Sequence, residues 1–503
     1  MPVIDELSGF ILTKFPHQPT AEQSAVVGQW CEFLMSPDSE EIFLLQGYAG
    51  TGKTSLVGAL VRALTALKRS VVLLAPTGRA AKVFSLHADH AAYTIHKKIY
   101  RQKSFSVEMI NFQSNINSHR DTLFIVDEAS MISNEGLSAR VFGTGRLLDD
   151  LVHFVYAGEG CRLMLVGDSA QLPPVGEQLS PALNPQVLSG YGLRVRQAAL
   201  TQVLRQVDDS GILWNATMLR QLISSDEMAS FPRFRISSFP DVRVVNGEDL
   251  VEVLEDSYYR CGEDQTIVIT RSNKRAILYN NGIRARILQY EDQVTSGDQL
   301  IVVKNNYYWK APLPAPPVGG RACIPPYNSQ EDERLSPPGE RGEGLSFIAN
   351  GDVCVVRRLR NVRSLYGFSF ADATLRFPDF DDMEMDATLL LNTLWSEAPA
   401  LTQEQQTQLF TSICKDYPEI REHRKLMEKI KEDPYFNALQ VKYAYAVTCH
   451  KAQGGQWQRV FIDQGYVTTD MLTSDYFRWL YTALTRATET VYLVNWPPQQ
   501  ILE

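Results

Sequence analysis

The sequence predicts an α/β protein with two domains, each built on a parallel sheet. Short apolar runs alternate with helix-like stretches through the first half of the chain, as strand–helix–strand units require. A second series of such runs appears in the later part of the chain. At 503 residues the chain is also too long for one ordinary hydrophobic core, which favours several domains.

The predicted strands are short, apolar and rich in β-branched residues or Leu, as strands buried on both faces are. The two groups are Ile42–Leu45, Val71–Ala75, Leu123–Val126 and Leu163–Val166, then Thr266–Ile269, Val460–Ile462 and Val491–Val494. Leucines at helical spacing predict a crossover helix after the first strand: Leu56, Leu60, Leu64 and Leu67. Polar residues follow almost every strand, at the edge where open α/β sheets bind ligands.

Three later segments have a different character. Ala311–Gly344 is dense in Pro and Gly, which is typical of a linker or long loop. Phe347–Arg358 alternates between apolar and polar residues and then becomes apolar, which suggests a small β-rich module. Leu401–Lys431 is polar and is predicted to be helical.

The composition is that of a soluble globular protein, with 44% hydrophobic and 21% charged residues. No apolar run approaches the roughly 18 residues that a membrane span needs, so we expect a cytoplasmic protein without a membrane partner. The seven scattered cysteines indicate neither a disulfide framework nor a zinc site. The net charge of −9 disfavours a broadly basic nucleic-acid surface but allows a local groove.

The segment Gly47–Thr54 reads GYAGTGKT and matches G-x-x-x-x-G-K-[ST] between a predicted strand and a predicted helix. Backbone N–H groups of such a loop surround phosphates, and the helix N-terminus adds positive potential. Lys53 is expected to reach the β- and γ-phosphates and Thr54 to bind Mg²⁺. The predicted phosphate-binding residues are Gly47, Gly50, Thr51, Gly52, Lys53, Thr54 and Ser55.

Asp127 and Glu128 follow a buried strand downstream of this loop. At that position Asp127 is expected to bind Mg²⁺ and Glu128 to orient and deprotonate an attacking water. Because a kinase needs no water-activating Glu, the pair favours an NTP hydrolase.

The segment Gly167–Gly176, reading GDSAQLPPVG, resembles motif III of superfamily-one helicases, in which the Gln (here Gln171) senses the γ-phosphate. Further segments resemble the remaining motifs in order: Pro19–Gln23 the adenine-reading motif, Ala75–Lys82 motif Ia, Thr94–His96 motif Ib, Leu200–Gln206 motif IV, Ala446–Gly454 motif V and Tyr481–Ala487 motif VI. The H-K-x-Q-G string of motif V is similar to the RecD/Dda-like B group, whose members move 5′ to 3′.

This resemblance implies two tandem RecA-like P-loop motor domains with parallel sheets, plus a hairpin pin and an SH3-like module as small β-rich insertions. The expected limits are 1–200 for the first motor domain with a pin at about 101–120, 201–310 and 441–503 for the second, and 311–440 for the insertion. The implied activity is that of an ATP- and Mg²⁺-dependent DNA helicase, acting as a monomer on single strands and strand–duplex junctions.

The resemblance also assigns roles to individual residues. Gln23 is expected to read adenine, and Gln456 stands where many relatives have Glu, so that its contact with the ribose lacks a negative charge. The implied catalytic residues are Lys53, Glu128, Gln171, Arg205 and Arg486, with both arginines reaching the γ-phosphate when the domains close. The implied DNA contacts are Pro76, Thr77, His96, Asn273, Thr448 and His450.

Several alternatives stay open at this point. His96 is also compatible with a buried core histidine, and Tyr307–Trp309 with packing instead of base stacking. Phe105 or Phe112 is a candidate wedge for splitting a duplex, or part of a small satellite core. At the level of function, an RNA-directed helicase and a nucleotide-gated clamp without unwinding are the competing interpretations.

Overall fold

The computed structural model describes residues 2–102, 112–136, 143–202, 210–306, 308–309, 348–380, 382–420 and 422–502. Two parallel sheets and a closed barrel form its framework. The α/β prediction with added β modules is therefore confirmed. None of the helices in these ranges is long and apolar enough to cross a membrane.

The first sheet is six-stranded and parallel, in the order β3-β2-β6-β7-β1-β8. Its strands are β1 (Glu41–Gly47), β2 (Val71–Ala75), β3 (Ala92–Thr94), β6 (Leu123–Val126), β7 (Arg162–Gly167) and β8 (Arg194–Leu200). A short antiparallel pair, β4 (Tyr100–Gln102) and β5 (Phe112–Ser114), lies at the base of the predicted pin.

Helices cover both faces of this sheet, because its strands are apolar on both sides. They are α1 (Pro2–Thr13), α2 (Ala21–Met35), α3 (Lys53–Ala66), α4 (Gly78–Ala88), α5 (Ile95–Ile99), α6 (Leu147–Tyr156) and α7 (Pro185–Ser189). All predicted strands of the first group and the crossover helix are confirmed.

The second sheet is five-stranded and parallel, in the order β10-β19-β18-β11-β17. Its strands are β10 (Val242–Val245), β11 (Thr266–Thr270), β17 (Ala446–Thr448), β18 (Trp457–Asp463) and β19 (Ala487–Val494). Around it lie α8 (Gly211–Ser225), α9 (Leu250–Cys261), α10 (Asn273–Arg286), α13 (Cys449–Ala452) and α14 (Ser474–Leu484), with β9 (Phe234–Arg235) pairing β20 (Ile501–Leu502).

The closed barrel joins strands from both sides of the Pro/Gly-rich segment. Its strands are β12 (Gln299–Val302), β13 (Val353–Leu365), β14 (Phe368–Phe377), β15 (Met383–Leu390) and β16 (Leu439–Tyr443). The barrel therefore extends beyond the predicted limits of 311–440, because β12 pairs with both β13 and β16 to close it. Helices α11 (Gln403–Cys414) and α12 (His423–Lys431) fall in the predicted helical segment.

Parallel strands place their carboxyl ends at one edge of each sheet. In the first sheet this edge carries Gly47, Asp127 and Gly167, the last residue of β7; in the second it carries Thr270 and Thr448. The segments predicted to carry the chemistry therefore lie at these edges, where open α/β sheets bind their ligands.

Candidate functional site

The loop after β1 forms a cradle of backbone groups in front of α3. Gly50 and Gly52 both have φ of 78°, a left-handed conformation that glycine adopts without strain. A Cβ on Gly47 would lie 2.9 Å from the Lys53 side chain, so the loop and this lysine are closely packed. The Lys53 ammonium group donates to the carbonyl of Tyr48 at 2.9 Å. A glycine-rich backbone loop at a helix N-terminus, with an ammonium group beside it, is an arrangement that holds phosphate groups.

Asp127 and Glu128 stand at the end of β6. The pKa of Asp127 is raised to about 6, because its carboxyl group is recessed in the protein and lies close to the negative charge of Glu128. The Glu128 N–H donates to Asp127 Oδ1 at 2.8 Å. The backbone of Glu128 has the left-handed conformation, with φ of 52°. Asp127, at the end of β6, and Thr54, in the first turn of α3, are the residues that would hold a divalent cation.

Glu128, Gln171 and Arg486 form a polar cluster between the two sheets. Arg486 Nη1 lies 3.7 Å from Glu128 Oε1. In the orientation of the Gln171 amide that satisfies both neighbours, the amide donates to Glu128 Oε2 and accepts from Arg486 Nη2, each at 3.2 Å. The predicted water-activating residue, phosphate sensor and arginine finger thus come together in one cluster.

Tyr481 of α14 makes a second connection to the phosphate-binding loop. Its hydroxyl accepts a hydrogen bond from the Ala49 N–H at 2.9 Å and donates to Asp168 Oδ2 at 2.6 Å. The neighbouring Thr482 hydroxyl accepts from the Leu172 N–H at 2.9 Å. Helix α14 of the second sheet therefore contacts both the phosphate-binding loop and the loop that follows β7.

Two predicted nucleotide contacts make other interactions in this structure. The Gln23 side chain is buried, donates to the Thr51 carbonyl at 3.2 Å and completes a capping box with Thr20. Gln456 is exposed, and its main-chain carbonyl accepts from Arg79 at 3.4 Å. Gln23 thus contacts the phosphate-binding loop, beside which it is expected to bind adenine. Gln456, in contrast, is exposed to solvent.

The proposed strand contacts fall into two groups. Beside the first sheet, Pro76 follows β2, Thr77 caps α4 by accepting from Ala80 N–H at 3.2 Å, and His96 is the second residue of α5. His96 is half-buried, and desolvation lowers the pKa of its imidazole to about 4, so it is neutral at physiological pH.

The second group lies on the second sheet. Asn273 begins α10 and Thr448 precedes α13, and both line the same narrow crevice. His450 lies on the exposed side of α13. The structure therefore brings Asn273 and Thr448 together, although they are 175 positions apart in the sequence.

Packing decides the roles of two residues that the sequence leaves open. Arg284 of α10 is buried and forms a bidentate pair with Asp298 at 2.8 and 2.9 Å. The indole N–H of Trp309 donates to the Asn437 carbonyl, and its ring packs on the barrel core, which favours packing over base stacking. Four predicted residues or side chains lie outside the described part of the chain: Arg205, Phe105, Tyr307 and the side chain of Phe112.

Sequence reasoning did not assign roles to Tyr481 and Asp168, or to Gln453, whose amide donates to the Leu172 carbonyl at 2.8 Å. All three lie inside segments that resemble helicase motifs, and membership of a motif is the one sequence feature that points to a role for them. Their individual roles depend on contacts between the two sheets, which no local pattern reveals.

Comparison with known families and proteins agrees with this geometry. Residues 19–229 match the family described as AAA domain, and residues 443–494 match the UvrD-like helicase C-terminal domain. An uncharacterized protein of Acanthamoeba polyphaga mimivirus is 20% identical over 93% of this chain and 98% of its own length. The ATP-dependent RecD2 DNA helicase of Deinococcus radiodurans is 29% identical over 38% of this chain, which spans only 22% of that protein.

Solved structures with a similar course of the chain include the Pif1 helicases of Bacteroides and Candida albicans. The Bacteroides protein, crystallised with ADP-AlF3 and ssDNA, has a TM-score of 0.44 and 15% identity, with 97% of this chain and 95% of that chain covered. For the Candida albicans protein the TM-score is 0.41 and the identity 15%, with 96% of each chain covered.

The two parallel sheets, the phosphate-binding loop and the Glu128–Gln171–Arg486 cluster define a P-loop NTP hydrolase with two motor domains. The two family matches contain the motifs at either end of the chain. The chain therefore combines a match to an AAA domain with a match to the C-terminal domain of UvrD-like helicases.

Proposed function

We propose that this protein translocates along single-stranded DNA from 5′ to 3′ and unwinds the duplex ahead of it, using the energy of ATP hydrolysis. The observation that carries the proposal is the cluster in which Arg486 of the second sheet lies 3.7 Å from Glu128 of the first. An arginine in this position stabilises transition-state charge only while the two domains are together. Hydrolysis is thereby coupled to domain closure.

The chain's own residues account for each part of the hydrolytic step. Lys53 and the loop N–H groups hold the phosphates, Glu128 orients and accepts a proton from water, and Gln171 connects Glu128 to Arg486. Mg²⁺ held by Thr54 and Asp127 would neutralise charge on the phosphate oxygens. Closure and reopening then move the Thr77 and Asn273 contacts relative to each other, which produces stepping along a strand.

The proposed 5′-to-3′ polarity and the use of DNA both rest on the similarity of motif V to that of the RecD/Dda-like B group. The unwinding element is proposed to be the segment that begins at β4 and ends at β5, with Phe105 or Phe112 as its aromatic wedge. Replacing Phe105 or Phe112 with Ala is expected to reduce unwinding while sparing DNA-stimulated ATPase activity. Equal loss of both activities would contradict the wedge assignment.

A forked duplex with a single 5′ or 3′ tail tests the whole proposal. We expect ATP-dependent strand separation only on the 5′-tailed substrate, and none with Lys53→Ala. Unwinding of only the 3′-tailed fork would overturn the polarity. ATP binding without strand-stimulated turnover would identify a clamp, and stronger stimulation by RNA than by DNA would identify an RNA-directed enzyme.

A further inference from the structure

The loop Asp168–Leu172, which follows β7 of the first sheet, packs into the core of the second motor domain. Its apolar side chains, Ala170 and Leu172, are each only 3% exposed. They belong to a hydrophobic cluster whose other buried members lie between Ile212 and Trp496 in the sequence. The loop is therefore part of the first domain by its position in the chain and part of the second domain by its packing.

Side chains of the second domain also hold both ends of this loop. At its start, the Tyr481 hydroxyl donates to Asp168 Oδ2 at 2.6 Å. At its end, the Leu172 N–H donates to Thr482 Oγ1 at 2.9 Å, and the Leu172 carbonyl accepts from the Gln453 amide at 2.8 Å. These hydrogen bonds are buried, and a buried group that loses its partner is costly in free energy. We therefore expect the loop to move with the second domain.

Arg478 of α14 holds the middle of the loop, where Gln171 lies. The arginine is only 8% exposed. Its Nη1 group donates to the carbonyl of Ser169 and, at 3.4 Å, to the carbonyl of Gln171. Its Nε group donates to Ser474 Oγ at 3.1 Å on the same helix, which fixes the direction of the guanidinium. The main chain of Gln171 is thus held by a residue that lies outside the segments resembling helicase motifs.

We infer that Arg478 is a positioning residue for ATP hydrolysis, which fixes the Gln171 main chain and so places the Gln171 amide between Glu128 and Arg486. The amide lies 3.2 Å from each of these partners in the orientation that satisfies both. Because Gln171 and Arg486 are both held by the second domain, they approach Glu128 together when the domains close and leave it together when they open. The inference rests on the hydrolytic step proposed above and adds how Gln171 is oriented for it.

A double-mutant cycle tests whether Arg478 acts through Gln171. The rate of ATP hydrolysis stimulated by oligo(dT) would be measured for the wild type, Arg478→Met, Gln171→Ala and the double variant. Arg478→Met is expected to lower kcat by roughly 10- to 100-fold, the range for losing hydrogen bonds from a charged donor. The KM for ATP should change little, because Arg478 does not contact the phosphate-binding loop. In the Gln171→Ala background, Arg478→Met should lower kcat by no more than about two-fold, the usual limit of additivity.

Two further variants separate this role from a general effect on stability. Arg459→Met is the matched control, because Arg459 is also a mostly buried arginine of the second domain but pairs with Asp256. Its kcat should equal that of the wild type. Arg478→Lys keeps a charged donor without the planar group, so we expect it to recover part of the kcat lost in Arg478→Met.

A larger loss from Arg478→Met in the Gln171→Ala background would overturn the inference, since the arginine would then act independently of Gln171. Unchanged kcat in Arg478→Met, or an equal loss in Arg459→Met, would also overturn it. If Arg478→Met does not fold, as judged by circular dichroism, Arg478→Lys takes its place in the same cycle. Failure of the proposed function is distinguishable, because the wild type itself would then show no strand-stimulated turnover.

Discussion

The guanidinium of Arg79 lies over the indole of Trp457, with its central carbon 4.1 Å from the ring centroid. This contact connects α4 of the first motor domain to the first residue of β18 in the second. The glycines before Trp457 make it possible: a Cβ on Gly455 would lie 2.4 Å from the indole, and one on Gly454 would lie 2.9 Å from the Cβ of Ala80. The motif V turn thus packs directly on the motif Ia helix.

Because this stack spans the two motor domains, we expect it to stabilise their closed arrangement. Cation–π contacts contribute about 0.5–1 kcal/mol at exposed sites and about 2 kcal/mol when desolvated. Arg79→Ala is therefore expected to reduce ssDNA-stimulated ATPase activity by a few-fold to about 30-fold. Arg79→Lys keeps the charge but loses the planar group, so it should recover only part of the activity. Full activity of Arg79→Lys would indicate that charge alone matters.

The Glu128–Gln171–Arg486 cluster predicts a loss of turnover without loss of ATP binding. Arg486→Lys removes the planar group that contacts both partners, and kcat is expected to fall by about 10³-fold or more. ATP affinity, measured with a fluorescent nucleotide, should change much less, because the phosphate-binding loop is intact. Arg459→Lys is the control: Arg459 pairs with Asp256, away from this cluster. Comparable kcat in the two variants would exclude the arginine-finger role.

The Tyr481 hydroxyl predicts a specific coupling between the motor domains. Tyr481→Phe removes the hydroxyl donor to Oδ2 of the buried Asp168 and the acceptor of the Ala49 N–H. We expect a loss of about 1–3 kcal/mol in the free energy of unfolding, measured by urea titration, and a raised KM for ATP. Tyr492→Phe serves as the control, because that tyrosine stacks on Phe461 with a centroid distance of 4.4 Å in the second sheet. Equal effects of both changes would refute the coupling.

Asp352 predicts a pH-dependent stability of the barrel. It is 1% exposed, Oδ2 accepts from the Ala349 N–H at 2.7 Å, and burial raises the pKa of its carboxyl to about 6 against an opposing effect of Lys97. Because the folded-state pKa is raised, the folded state favours the protonated acid. The resulting stabilisation is present below the unfolded-state pKa of about 4 and is lost as the pH rises through about 6.

Asp352→Asn should therefore increase the melting temperature at pH 7.5 and have little effect at pH 4.5. The asparagine keeps an acceptor for Ala349 and carries no charge, and the gain is at most about 3 kcal/mol. Differential scanning fluorimetry across this pH range measures the effect. Asp386→Asn is the control, because its carboxylate is exposed and paired with Arg360. A lower melting temperature for Asp352→Asn at pH 7.5 would show that the carboxylate is stabilising there.

The sequence by itself determined the class of this protein, because the residues expected to bind and hydrolyse the nucleotide lie in short continuous segments. The segment Gly47–Thr54 specifies a backbone shape through its glycines and a charge through Lys53, and both are local properties. The strands around it were predictable for the same reason: each is a continuous apolar run. The parallel arrangement then places the polar strand ends at one edge without further information.

Only the tertiary structure decided which residues of the two halves meet. Tyr481 contacts Ala49 across 432 positions and Asp168 across 313, and no pattern in either segment encodes such a distance. The partners of charged residues were equally unpredictable. Arg284 and Lys442 look alike as basic residues in a sequence, yet the first pairs with the Asp298 carboxylate and the second is buried and donates to the carbonyl of Ser396. Burial and partner choice depend on packing between distant segments, because the cost of a buried charge is set by what surrounds it.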